Sequence, residues 1–132
     1  MPNTLVHSDF KTPIYQTPAV GASSGNVAAT STTAALAAPA NNTTNYLTGF
    51  QVTGAGATAA SVILVTVTGL SVGTLTYVMA IPAGANVAVA PLIVNFSPAL
   101  PASAANTAVT VNVPSFGAGN TNASAVAVGY QQ

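Results

Sequence analysis

The stretch Ala59–Leu70, Ala-Ala-Ser-Val-Ile-Leu-Val-Thr-Val-Thr-Gly-Leu, constrains the fold more than any other part of the chain. From Ser61 to Val67 β-branched residues dominate, and strict alternation sets Ile63, Val65 and Val67 on one face against Thr66 and Thr68 on the other. The pattern predicts a central strand with Ile63, Val65 and Val67 turned to the core. The opposite face opens with Val62 and Leu64, so the first half of the strand is apolar on both sides and needs cover on both. Another subunit is one source of that second cover, which makes Val62 and Leu64 candidate self-association residues.

The rest of the chain repeats the two-residue period in short segments punctuated by turn residues. Asn45–Thr53 carries Tyr46, Phe50 and Val52 at even positions, and Thr74–Ile81 sets Leu75, Tyr77, Met79 and Ile81 on one face. Val87 and Val89 begin a short strand, and Leu92, Val94 and Phe96 define another. Val109, Val111 and Val113 alternate with Thr110 and Asn112, and the last strand puts Val126, Val128 and Tyr130 on one side. Asn26–Ala38 has small side chains and weak alternation; its Thr and Ser content favours an extended edge strand over a helix. Seven or eight short strands with no helix-period stretch predict an all-β chain: an antiparallel β-sandwich of jelly-roll or Greek-key type, which buries every apolar face at once. The domain expected on this reading spans residues 26–132, preceded by an extended arm over residues 1–25.

Charge is where the chain departs furthest from an ordinary soluble protein. Only 2% of its 132 residues are charged, against about 25% typically, and the two charged side chains are Asp9 and Lys11. With His7 alongside, nothing beyond Lys11 except tyrosine can exchange a proton as a side chain, so general acid–base catalysis is not expected and no catalytic residue is assigned. One Asp and one His with no Cys form no metal-ligand set, and no cofactor motif occurs. Nucleic-acid binding draws its affinity from Lys and Arg on phosphates, and these are lacking. No apolar run approaches the length of a membrane-spanning helix, and no basic region precedes an apolar run at the N-terminus, so neither a membrane span nor a secretory signal is predicted.

Outward positions of the predicted strands are Thr, Ser, Asn, Gln and Ala. Such side chains lose little entropy when immobilised and carry no charge to desolvate. Monomers commonly guard strand edges with charged residues, above all lysine, and this chain does not. The surface therefore suits packing against copies of itself or a larger assembly. The prolines at 2, 13 and 18 and the run Gly21–Gly25 read as an extended arm, whose Leu5, Val6, Phe10, Ile14 and Tyr15 are candidate partner-binding anchors; a disordered terminus is the competing reading.

Other local features have plainer explanations. The Asn-x-Ser/Thr patterns starting at Asn41, Asn42, Asn95 and Asn122 suit chance in an Asn- and Thr-rich chain. Gly54-Ala55-Gly56 and Gly117-Ala118-Gly119 lack the helix and lysine of a phosphate loop and read as turns. Tyr46, Tyr77 and Tyr130 offer aromatic faces to a sugar, but their register reads as inward. His7 with Asp9 reads as a solvated pair.

Tyr46-Leu47-Thr48-Gly49-Phe50, Gly54-Ala55-Gly56-Ala57-Thr58, Ile81-Pro82-Ala83-Gly84, the run Pro101–Thr107 and the run Val113–Asn122 resemble a group of small proteins encoded by tailed bacteriophages and prophages. The resemblance spans Tyr46 to Tyr130 and lies in turns and strand ends, so no functional residue carries over. It implies a virion structural protein, with capsid decoration (cement) proteins as the nearest class. Those are small β-sandwiches, often homotrimers, that bind the major capsid protein from outside through an extended arm and stabilise the shell after synthesis in the bacterial cytoplasm. The alternative is a head-fibre or tail adhesin module gripping host glycans, for which Phe116 in the Gly-rich turn is the one candidate loop contact.

Overall fold

A computed structural model describes residues 18–117 and 121–132. The arm anchors Leu5, Val6, Phe10, Ile14 and Tyr15 lie outside the described residues, as do Ala118–Asn120 of the Gly-rich loop. The strands are β1 (Ala19–Ser23), β2 (Val27–Ala28), β3 (Thr32–Leu36), β4 (Asn45–Ala55), β5 (Ser61–Thr68), β6 (Leu75–Ile81), β7 (Leu92–Pro101), β8 (Val109–Val113) and β9 (Asn122–Gln131). No helix occurs among the described residues.

Pairing runs from the ends of the chain towards its middle. β1 and β2 both pair with β9, β3 with β8, β4 with β7 and β5 with β6, every pair antiparallel. Two further ladders, β4–β9 and β5–β8, fold this double ribbon into two sheets, with β1/β2-β9-β4-β7 in one and β3-β8-β5-β6 in the other. An antiparallel ribbon rolled in this way is a jelly roll. β1 and β2 act as one strand, interrupted at Ser24–Asn26, where Gly25 adopts a left-handed φ of 65° and the register along β9 slips by one. The sandwich thus starts at least as early as Ala19, inside the stretch to Gly25 that the sequence assigns to the arm. The pattern there escapes notice because only Val20 and Ala22 turn inward.

The core lies between the sheets. β5 buries Ile63, Val65 and Val67, β8 buries Val109, Val111 and Val113, and Asn26–Ala38 supplies β2 and the edge strand β3 with Ala34 and Leu36 inside. β9 does the reverse of what its bulky residues suggest. Ala123, Ala125, Ala127 and Gly129 face the core, while Val126, Val128 and Tyr130 face outward. The reason is the fit across the sandwich, since β9 lies against β3 and β8. A Cβ on Gly129 would stand 3.1 Å from Leu36 Cδ1 and closer still to the Tyr46 carbonyl. Large side chains on β3 and β8 need small ones opposite.

β4 also departs from simple alternation. Its register shifts between Leu47 and Gly49, so Asn45 and Leu47 are buried before the shift and Phe50 and Val52 after it. The bulge turns Tyr46 to the outer face, where its ring stacks on Tyr130 with centroids 4.9 Å apart. Of the three tyrosines expected to point inward, only Tyr77 does; its ring meets Phe50 edge-on at 5.3 Å. Val87 and Val89 form no strand. A single bridge, Ala55 to Ala88, holds that loop under the end of β4 with Val89 buried.

Candidate assembly surface

Among the buried polar side chains, Asn45 has a structural role. Asn45 is fully buried at the start of β4, where its amide nitrogen donates to the carbonyls of Ala37 and Thr107, each at 2.9 Å, and its oxygen accepts from Gln131 Nε2 at 3.0 Å. One side chain therefore ties together the end of β3, the approach to β8 and the end of β9. Its position amid polar turn residues hides this role in the sequence. Among the described residues no cluster of His, Cys, Asp or Glu is placed to hold a metal ion, and no helix is long and apolar enough to cross a membrane.

Phe116 is not a loop contact. It is 1% exposed and caps the end of the sandwich over Gly54, where a Cβ would run into its ring. Its carbonyl accepts a hydrogen bond from Ser61 Oγ at 3.2 Å. The Gly-rich surroundings suggest a flexible tip, yet Gly54 is a glycine because Phe116 occupies the space a side chain would take. The buried ring belongs to the core, which corrects the expectation of an exposed aromatic.

Val62 and Leu64 do reach the surface, at 66% and 51% exposure, on the outer face of β5. Cross-strand pairing brings Ala80 opposite Val62 and Val78, 71% exposed, opposite Leu64. Val78 was not singled out by the sequence pattern, because the inward face of β6 absorbs the apolar signal. The four form one aliphatic patch at the β5–β6 side of the sheet. Towards β8 the same face turns polar, with Thr66 and Thr68 beside Asn112 and Thr110.

The outer face of the other sheet carries a second patch, with Ile93 62% and Val128 46% exposed. Between them lies a hollow of about 180 Å³, lined also by Gly49, Gln51, Asn95 and Val126. Gly49 is held to glycine by the close approach of β7, since a Cβ there would stand 2.7 Å from the Val94 carbonyl and 2.9 Å from the Asn95 side-chain oxygen. The stacked Tyr46 and Tyr130 continue the face beyond it. Both sheets are thus apolar inside and partly apolar outside, and no Asp, Glu, Lys, Arg or His side chain occurs among the described residues.

No protein-family model matches this chain, and no curated protein is found similar to it.

Proposed function

We propose that this chain is a non-enzymatic structural protein of a virion shell, a capsid decoration protein that seats on the outside of the major capsid lattice through its N-terminal arm and packs against its own copies. The observation that carries the reading is the pair of exposed aliphatic patches on the two outer faces of a sandwich whose described surface bears no charged side chain. Such faces cost little to desolvate, and contacts made through them are insensitive to salt and pH. Jelly rolls serve viral capsid, lectin and cupin domains alike, so the topology is compatible with this role without selecting it. The glycan-binding alternative loses Phe116, which is buried, as its loop contact, and keeps the outward, stacked Tyr46 and Tyr130 as its one aromatic surface.

Cryo-electron microscopy of the particle that carries the chain tests the proposal, with decoration of purified shells as the quantitative arm. A variant lacking the arm is the comparison, and it should lose residues 1–17 only, because Ala19–Ser23 is a strand of the sandwich. The expected result is ordered density on the shell exterior for the full chain and a loss of occupancy for the deleted one, with its β-sheet circular dichroism intact. Density confined to tail fibres, or undiminished occupancy after the deletion, would overturn it.

A further inference from the structure

The sandwich has four strand edges, and they differ in how they are guarded. On one side β1 and β3 lie against each other across the two sheets; both are short, β1 follows Pro18 directly and the chain reaches Pro39 three residues after β3 ends. On the other side β6 and β7 make little contact, and their inward side chains Leu75, Tyr77, Leu92, Val94 and Phe96 stay half-buried. β7 is guarded: Pro98 and Pro101 remove two amide donors, and its register against β4 breaks between Asn95 and Leu100. β6 has seven residues with no proline, glycine, charge or register break. It is an unguarded edge of the kind that templates strand pairing.

We infer that β6 is a homodimerisation edge, at which two copies pair their β6 strands antiparallel about a two-fold axis through Val78. The register of such a pair follows from the sequence of the strand itself. Leu75, Tyr77, Met79 and Ile81 point inward and Thr76, Val78 and Ala80 outward, so antiparallel self-pairing keeps like faces together only when the axis passes through a residue. In a seven-residue strand the midpoint is a residue, Val78, and full overlap then sets Leu75 against Ile81, Tyr77 against Met79 and Thr76 against Ala80 of the other copy. Leu64, Val78 and their symmetry mates become one continuous outer patch across the seam. Charge argues for a second copy. Most proteins repel their own copies through like charges, and this edge has none while offering a charged partner nothing to pair with.

The inference deepens the assembly reading by naming the contact, and it is tested in the free chain without shells. The chain has no cysteine, so single cysteines report cleanly, and a residue on the axis meets its own copy at about 4.5–5.5 Å between Cα atoms, within disulfide range. Under mild oxidation Val78→Cys should form a disulfide dimer at least about tenfold faster than Thr76→Cys, Ala80→Cys or the distant Thr110→Cys. The double variant Thr76→Cys/Ala80→Cys should link as well as Val78→Cys. Thr76→Lys, at an exposed position, should shift the full chain from dimer to monomer in sedimentation while its circular dichroism is unchanged.

Equal cross-linking at positions 78 and 110, a monomer at every concentration, or a trimer in which Val78→Cys stays unlinked would each overturn the inference. Shell occupancy is a separate readout. Intact cross-linking with no shell binding fails the virion proposal alone, and the converse fails the edge alone.

Discussion

β5 and β9 are both inner strands, one in each sheet, and both alternate apolar residues with a two-residue period, yet they bury opposite classes of side chain. β5 turns its bulky aliphatics Ile63, Val65 and Val67 to the core and leaves Val62 and Leu64 outside. β9 turns Ala123, Ala125, Ala127 and Gly129 to the core and leaves Val126, Val128 and Tyr130 outside. Alternation says that a strand has two faces, and the space left by the opposite sheet says which one is inside. Against β3 and β8, whose Leu36, Val109 and Val111 already fill the gap, only small residues fit.

The sharpest way to break the comparison is to exchange the volumes. Ile63→Ala should cost about 2–5 kcal/mol, measured as a lower urea midpoint at unchanged slope, because it empties a filled site in β5. Ala127→Val should cost about 1–3 kcal/mol for the opposite reason, since β9 has no room to take a larger side chain. If Ala127→Val instead stabilises the protein, β9 is not packed as described. Val128→Thr should change stability by less than about 0.5 kcal/mol while lowering any self-association through the outer face, which light scattering reads.

A further effect is confined to alkaline solution and to the β5 side, where Tyr77 pairs across the strand with Val65. Burial pushes the Tyr77 phenol above its ordinary value of 10.0. Above that pH the unfolded chain releases this proton before the folded one, so the folded state loses stability as pH rises through and beyond 10, with no effect below. Tyr77→Phe should flatten that alkaline decline in a thermal-melting series and remove a late component from the tyrosinate absorbance. An unchanged decline would place the Tyr77 hydroxyl in water rather than in the half-buried site beside Phe50.

The patch at Val62 and Leu64 was legible because an uninterrupted apolar run in a strand must show something on both sides. Val78 was not, because it becomes part of that patch only through its pairing with Leu64. Phe116 misled for a related reason: glycines around an aromatic look like a mobile tip in sequence, and here Gly54 is the vacancy the ring fills. The arm-like reading of residues 19–23 missed β1 because a strand of Ala, Val, Gly and Ser is held by hydrogen bonds to β9 rather than by a pattern of its own.

By itself the sequence determined that the described residues are all-β, placed most of their strands, chose the inward face of β5, β6, β7 and β8, and left the described surface without charged side chains. Those are local properties, set by β-branched side chains, period-two alternation and composition. Only the tertiary structure decided the rolled pairing of first strand with last, the inverted face of β9, the bulge that turns Tyr46 outward, and which of four edges stands unguarded. Each depends on residues distant in sequence competing for one volume or one row of hydrogen bonds, and no local pattern records the outcome of that competition.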